Sequence, residues 1–253
     1  MYLPPKQVLV FQKSFNRPEL QYMVKQKSGH KATIKDIATY IRTKHLNQTG
    51  IIYCGTQSMC EKVCKDLQEE LKDIGYDKRI AFYHAGLQDT ERERIQREWS
   101  DDTLKIIAAT VAFGMGINKT DVRFVIHFQL PHSLTHYYQE AGRAGRDRKP
   151  AECILYFSYG DKSQIESLIR KSENQVMTHH NLQELYRVVA YCQNETDCRR
   201  VQILQYFSED FDPKQCGYPS HILCDNCSNQ TESVIVDMTP ISQSIIQLSS
   251  IGL

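Results

Sequence analysis

Between residues 33 and 157, short apolar segments alternate with stretches of helical periodicity, which is the pattern of a parallel sheet covered by helices. Five segments rich in isoleucine, valine and aromatic residues are predicted to be strands, at 51–54, 80–83, 105–110, 122–127 and 152–157. Apolar residues at helical spacing predict two of the intervening helices, with Ile34, Ile37, Ala38 and Ile41 in one and Met59, Val63, Leu67 and Leu71 in the other. The predicted fold class is therefore α/β, a parallel sheet flanked by helices.

Helix-start signals and a change of periodicity complete this outline. A third helix is predicted to begin at Thr90, with Glu93 closing a capping box, and a fourth to run from an N-cap at Ser133 to Ala144. After about residue 160 the strand pattern stops, and one apolar helical face is formed by Leu182, Leu185, Val189 and Cys192. We therefore expect a second, helical unit to follow the sheet.

Composition and charge exclude few partners by themselves. The 253 residues, 41% of them apolar, can fill one ordinary domain and a smaller one. The formal net charge of +1 gives no global attraction to nucleic acid or membrane, so such binding must come from local patches. No apolar run approaches the length of a membrane span, and we expect an intracellular protein with no membrane partner.

Four of the nine cysteines have the spacing of a metal site. Cys198, Cys216, Cys224 and Cys227 include a Cys-x-x-Cys turn, and four thiolates satisfy Zn²⁺ without an open coordination position. The alternative is four unrelated buried cysteines. His221 lies in the same span and could replace one of them, although no count requires it. The sequence therefore predicts a structural zinc site, and core packing accounts for Cys54, Cys60, Cys64, Cys153 and Cys192.

Two glycine-containing loops follow predicted strands. One carries Gly114 and Gly116, and the other carries His84 and Gly86. The carboxyl ends of parallel strands are where α/β proteins place ligands. These loops are therefore candidates for a binding site, with ordinary tight turns as the alternative.

The segment YYQEAGRAGRD (137–147) holds two arginines, Arg143 and Arg146, beside Gly142 and Gly145. Planar, permanently charged guanidinium groups suit phosphate. The alternative is a solvated helix end, where arginine meets the negative end of the helix dipole. Because glycine costs roughly 1 kcal/mol relative to alanine in a helix, the two glycines suggest that a partner approaches closely there.

Several of these motifs together resemble a known family. The segments FNRPELQY (15–22), YHAGL (83–87), ATVAFGMGINKTDVRFVIHF (109–128) and YYQEAGRAGRD occur in the order found in the second RecA-like lobe of RecQ-family DNA helicases. The Bloom-type eukaryotic branch is the most similar. The resemblance continues through NETDCRRVQILQYF and CDNC and so covers nearly the whole chain.

The resemblance implies a three-part organisation and a motor function. Residues 1–159 would form the second RecA-like lobe, 160–228 a helical four-cysteine zinc subdomain, and 229–253 a linker toward a missing winged-helix domain. In such helicases ATP and Mg²⁺ lie between two lobes, and single-stranded and duplex DNA are bound. The implied activity is 3′ to 5′ DNA unwinding in recombination, repair and replication, in the nucleus.

The resemblance also implies roles for individual residues. Those expected to face ATP are Gln139, Arg143, Arg146 and Gly116, with Arg146 as the arginine finger and Arg143 as the phosphate sensor. Those expected to contact the DNA backbone, or to relay the nucleotide state to it, are His84, Gly86, Thr110 and Gly114.

Two further arginines, Arg199 and Arg200, directly follow a predicted zinc ligand at the start of a helix. They are candidates for contacts with DNA phosphates. An exposed helix end without such contacts is the alternative.

The sequence holds no phosphate cradle. A Walker-A loop needs a lysine directly after its last glycine, and none of the 12 glycines precedes a lysine. There is also no Asp-Glu dipeptide. We therefore expect a fragment that lacks the first lobe and is inactive as a motor by itself. The alternative is a non-catalytic, zinc-stabilised module for DNA binding or protein interaction.

Overall fold

A six-stranded, wholly parallel sheet forms the centre of the fold, with the strand order β1-β6-β5-β2-β4-β3. The computed structural model describes residues 13–114, 119–172, 174–219, 221–229 and 237–251. The strands are β1 (Leu20–Gln26), β2 (Thr49–Tyr53), β3 (Ile80–Tyr83), β4 (Ile106–Ala109), β5 (Val122–His127) and β6 (Ala151–Phe157).

Helices connect the strands and then continue alone after β6. They are α1 (His30–Lys44), α2 (Gln57–Glu70), α3 (Asp89–Ser100), α4 (Leu134–Ala141), α5 (Tyr159–Arg170), α6 (Gln175–Gln193), α7 (Arg199–Tyr206), α8 (Asp225–Ser228) and α9 (Thr239–Ile251). This order confirms the predicted α/β class with a helical continuation. Among the described residues, no helix combines the length and the apolar character needed to cross a membrane.

The five predicted strands are confirmed as β2 to β6, whereas β1 was missed. Strand β1 pairs with β6 along its whole length, from Leu20 opposite Ala151 to Gln26 opposite Phe157. Leu20 and Tyr22 are buried, whereas Gln21 between them is less buried. This two-residue period is the pattern by which the strand could have been predicted.

Two of the predicted helix boundaries need correction. Ser133 is the N-cap of α4, as predicted, and its hydroxyl accepts a hydrogen bond from the His136 amide, but the helix ends at Ala141 and not at residue 144. The predicted capping box at Thr90 is wrong. Helix α3 begins one residue earlier, at Asp89, so that Thr90 lies inside the first turn and no side chain caps the helix.

Two apolar cores fill the two sides of the sheet. Helices α1 and α2 cover one side and pack Ile37, Ile41, Val63 and Leu67 against β2, β4, β5 and β6. The other side is covered by α3 and α4, and the same continuous core extends through α6 and α7 to the cysteines of the helical unit. The helical unit therefore shares a core with the sheet.

Buried arginines tie this unit to the edge strand β1. The Arg200 guanidinium is 1% exposed and donates to the carbonyls of Arg17 (2.6 Å), Pro18 (3.0 Å), Leu20 (2.5 Å) and Ile222 (3.1 Å). The interpretation of Arg200 as a DNA contact does not fit this structure. Four carbonyls of its own chain enclose the side chain.

Arg199 is likewise internal, at 2% exposed. Its guanidinium forms an ion pair with Asp225 (Nε to Oδ1 2.9 Å) and donates to the Tyr191 carbonyl. Asp225 in turn accepts a hydrogen bond from the Val24 amide of β1 (2.7 Å). The candidate DNA contact at Arg199 is therefore also corrected to a structural role that covers the edge strand.

Replacement of Arg200 by methionine tests this role. Several buried carbonyls lose their donor, and each unsatisfied group costs about 1–3 kcal/mol, so we expect Arg200→Met to lower the free energy of unfolding by about 3 kcal/mol or more, or to prevent folding. Urea denaturation measures the change. The control is Arg170→Met, because Arg170 is 57% exposed in its pair with Glu166, and exposed ion pairs contribute little to stability. Equal losses in the two variants would contradict the assignment.

Candidate functional site

The two arginines of the predicted phosphate site lie on a turn after α4. The turn runs beside the start of β5, where the Gly145 amide donates to the Val122 carbonyl (3.0 Å) and the Asp147 amide to the Thr120 carbonyl (3.1 Å). Arg146 is exposed and Arg143 is half-buried. Neither arginine lies on a helix, because α4 ends at Ala141.

Arg143 reaches from this turn to the loop after β4. Its Nη1 donates to the Gly114 carbonyl at 2.6 Å. A Cβ atom at Gly114 would stand 2.1 Å from the Arg143 Cζ, so only glycine leaves room for this guanidinium. The structure thus joins two predicted site residues, one expected at ATP and one expected at DNA.

The glycines of the turn accommodate the chain itself. A Cβ atom at Gly142 would stand 2.9 Å from the Tyr138 carbonyl oxygen, and one at Gly145 would stand 3.1 Å from the Lys149 carbonyl oxygen. Gly145 also has a left-handed backbone, at φ +62°. These glycines were expected to leave space for an outside partner. They instead allow the chain to pack closely against itself.

The turn carries an excess of positive charge. Burial, together with the charges of Arg143 and Arg17, lowers the pKa of Arg146. The flanking carboxylates bind other side chains, Glu140 at His127 (2.8 Å) and Asp147 at Arg123 (2.5 Å). This arrangement favours an anion, and guanidinium groups bind phosphate by charge-assisted hydrogen bonds.

The structure gives the position of only one of the two remaining residues that were predicted to bind nucleotide. Gln139 lies exposed on α4. Gly116 falls outside the described residues. Because Glu140, the neighbour of Gln139, is buried, the helix orientation is fixed while the Gln139 side chain remains accessible.

A buried polar group that sequence reasoning missed supports α4. His127, at the end of β5, bonds through Nε2 to Glu140, and the Tyr53 ring stacks on it with centroids 5.4 Å apart. The Tyr53 hydroxyl donates to the Phe113 carbonyl (3.1 Å), and burial raises the pKa of this tyrosine. A glutamate on the apolar side of α4 was the available signal, since a buried carboxylate needs a partner.

The candidate DNA residues occupy two adjacent loops. Their closeness follows from the Thr110 amide, which donates to the Tyr83 carbonyl (3.2 Å) just before His84. His84 is buried against Phe82 and bonds to Glu61 (3.1 Å), whereas Gly86 is exposed and Thr110 half-buried. Gly114 is buried beneath Arg143, so its backbone is not on the surface in this structure.

The four predicted metal ligands come together in the helical unit. The sulfur atoms of Cys198, Cys216, Cys224 and Cys227 all lie within 4.8 Å of one another. Cys198 immediately precedes α7, and Cys216 follows a 3₁₀ turn at Pro213–Gln215. Of the Cys-x-x-Cys pair, Cys224 is the N-cap of α8 and Cys227 lies within this helix. Only these four residues form such a group among the described part of the chain.

The chemistry of this cluster fits Zn²⁺. Tetrahedral Zn–S bonds of about 2.3 Å place sulfurs roughly 3.8 Å apart, which is compatible with the observed group. Burial and the neighbouring Cys224 raise the pKa of the Cys227 thiol. A bound cation would stabilise the thiolate form of such a cluster. The Arg199 amide already points at the Cys224 sulfur (3.4 Å).

The two residues inside the CDNC turn hold the cluster in place. Asp225 joins β1 and Arg199 as described above, and Asn226 donates to the carbonyls of Asn194 (2.9 Å) and Asp197 (2.8 Å). These contacts connect the turn to the end of α6. Their role could not be inferred from the cysteine spacing.

Two protein-family models match the chain. The helicase conserved C-terminal domain matches residues 29–148, and the RecQ zinc-binding domain matches residues 159–228. The yeast DEAD-box splicing factor Prp28 is similar in fold, with a TM-score of 0.50 at 19% identity over 62% of this chain and 34% of that chain.

Full-length relatives agree with the domain matches. The chain is 43% identical to the ATP-dependent DNA helicase hus2/rqh1 of Schizosaccharomyces pombe, 42% to the ATP-dependent helicase SGS1 of Saccharomyces cerevisiae and 40% to the RecQ-like DNA helicase BLM of Xenopus laevis. These alignments cover 95%, 96% and 91% of this chain but only 17%, 16% and 17% of the relatives. The chain belongs to the RecQ family of helicases, and it comprises a C-terminal helicase domain and a zinc-binding domain.

Substitution of one cluster cysteine tests the metal centre. Because structural zinc contributes roughly 10–16 kcal/mol in peptide systems, we expect Cys227→Ser to lose its zinc to a chelator and to melt at a lower temperature than the unsubstituted chain. Metal analysis and thermal melting followed by circular dichroism measure this. The matched control is Cys192→Ser, a buried cysteine outside the cluster, which should keep its zinc. A Cys227→Ser protein with unchanged zinc content and melting temperature would rule out the zinc site.

Proposed function

We propose that this chain is the second motor lobe and zinc-binding module of an ATP-dependent DNA helicase. The observation that carries the proposal is the turn at residues 142–148, here called the arginine turn. It brings guanidinium groups together, while the neighbouring carboxylates of Glu140 and Asp147 are bound to His127 and Arg123. Relatives named as ATP-dependent DNA helicases support it. The 3′ to 5′ polarity, the role in recombination, repair and replication, and the nuclear location rest on the family alone.

In this proposal the chain completes an ATP site that another lobe begins. Arg146 acts as the arginine finger, Arg143 senses the phosphate, and Gln139 and Gly116 line the same site. Mg²⁺ and the phosphate cradle belong to the first lobe, since no glycine of this sequence precedes a lysine. Charge on the transferred phosphoryl group is what such a finger stabilises, an effect worth about 10³ to 10⁵ in turnover.

The bond between Arg143 and Gly114 suggests how ATP and DNA communicate. In this proposal Arg143 leaves the Gly114 carbonyl, which it now contacts at 2.6 Å, when it binds the phosphate. Its departure would free the loop after Thr110, and Thr110 lies next to the loop of His84 and Gly86. Nucleotide binding would thereby change the DNA-facing loops.

The proposed parts are those expected from the sequence. Residues 1–159 form the motor lobe, 160–228 the zinc-binding module and 229–253 a connection toward a winged-helix domain. Zn²⁺ would be held by Cys198 and its three partners, where it would be a structural cross-link with no open coordination position.

A second candidate function is a non-catalytic module for DNA binding or protein interaction. It is favoured by one observation, the lack of a phosphate cradle in the 253 residues. It gives no reason for an exposed Arg146 beside Arg143. Reconstitution of the ATP site distinguishes the two functions.

Hydrolysis of ATP in the presence of a separately expressed first lobe tests the proposal. We expect no turnover from the chain alone, DNA-stimulated turnover from the mixture, and a loss of roughly 10³-fold or more in the mixture with Arg146→Ala. Single-stranded DNA is the stimulating ligand.

The charge-matched control is Arg97→Ala, because Arg97 is exposed on α3, remote in sequence from the arginine turn. This variant should keep the turnover of the unsubstituted mixture. Turnover by the chain alone, or full activity of Arg146→Ala in the mixture, would contradict the proposed function.

A further inference from the structure

We infer that Arg17 is a positioning residue that holds the turn carrying Arg143 and Arg146 and joins this turn to the cysteine cluster. The consequence for hydrolysis rests on the proposed function. The positioning itself follows from contacts within the chain, and it can be tested without nucleotide.

The Arg17 side chain bridges two carbonyls of the arginine turn. Its Nη1 donates to the Gly142 carbonyl (3.1 Å) and its Nη2 to the Ala144 carbonyl (3.0 Å). The third nitrogen of the Arg17 guanidinium, Nε, donates a hydrogen bond to Glu19 Oε1 (2.6 Å). Carbonyls just beyond a helix end lack an intrahelical donor, and Arg17 supplies one to each side of Arg143.

The turn and the segment around Arg17 are also fitted to each other by shape. A Cβ atom at Gly145 would stand 3.0 Å from the Glu19 Cγ and 3.3 Å from the Leu20 Cδ2. A Cβ atom at Gly142 would stand 3.4 Å from the Arg17 Nη1. Gly145 is therefore closely fitted to the segment 17–20, whereas a Cβ atom at Gly142 would meet Arg17 at an ordinary van der Waals distance.

The backbone of Arg17 is in turn anchored to the cysteine cluster. Its carbonyl accepts from Arg200 (2.6 Å), which lies two residues after Cys198. The carbonyl of the next residue, Pro18, accepts from the amide of Ile222 (3.0 Å), two residues before Cys224. Both anchors start beside cluster cysteines, so the position of the arginine turn is set from the metal-binding module.

The geometry requires arginine at position 17. A lysine retains the positive charge, but a single ammonium group lacks the planar fork that spans two separate carbonyls with fixed spacing. Replacement by lysine therefore separates the positioning role from a purely electrostatic effect on Arg146.

Hydrogen exchange of the 253-residue chain tests the positioning directly. Loss of two hydrogen bonds should speed amide exchange in the turn 142–148 by roughly 10- to 100-fold in Arg17→Met, with β2, β4 and β5 unchanged. We expect Arg17→Lys to exchange nearly as fast. Arg42→Met is the matched control, since Arg42 also binds one carboxylate, Asp73, and a backbone carbonyl, that of Glu70, and the turn should keep its protection in it.

Three results would each overturn the inference. They are unchanged amide exchange of the turn in Arg17→Met, full protection of the turn from exchange in Arg17→Lys, and faster exchange spread evenly over the sheet. The first would mean no support from Arg17, the second a charge effect, and the third a general loss of stability. None of these outcomes depends on ATP hydrolysis.

Kinetics of the mixture with the first lobe test the consequence for hydrolysis. Misplacing the arginines should lower kcat about tenfold or more, with little change in the KM for ATP, because the contact matters most in the transition state. An unchanged kcat for Arg17→Met, in a mixture whose turnover depends on Arg146, would overturn the positioning role. Turnover that does not depend on Arg146 would refute the proposed function, and the exchange result would still decide the positioning.

Discussion

The buried guanidinium of Arg200 is the contact on which the rest of the arrangement depends. A desolvated charge is costly, and here the carbonyls of Arg17, Pro18, Leu20 and Ile222 offset that cost without a carboxylate. Because these carbonyls belong to the entry into β1 and to the loop before Cys224, one side chain fixes the edge of the sheet and the metal-binding module together. The shared apolar core reinforces the same connection.

Through this connection, the sheet and the cysteine module form one continuous set of contacts. The arginine turn packs against the segment that Arg200 holds, and Arg143 extends from the turn to Gly114 in the loop after β4. Contacts thus run from the cysteines to the proposed phosphate site, and onward to the loops proposed to face DNA. The zinc-binding domain of this RecQ-family chain would then do more than stabilise its own fold.

The sequence predicted those features whose cause is local. Strands such as β5 and the spacing of the four cysteines need no knowledge of distant residues, and both were recognised. The burial of Arg200 was not predictable, because its acceptor at Leu20 lies 180 positions away. The glycines of the arginine turn were misinterpreted. Their close partners belong to the chain itself, at Tyr138 for Gly142 and at Glu19 and Lys149 for Gly145, and not to an outside ligand.

The distance between the Arg146 guanidinium and the terminal phosphate of a bound ATP analogue tests the central claim most directly. It should be measured in a crystal structure of this chain with the first lobe, single-stranded DNA and a transition-state mimic. The account predicts a nitrogen-to-oxygen distance of about 2.7–2.9 Å, with Arg143 also on the phosphate and away from Gly114. Arginines that stay beyond hydrogen-bond range, with Arg143 still on the Gly114 carbonyl, would contradict it.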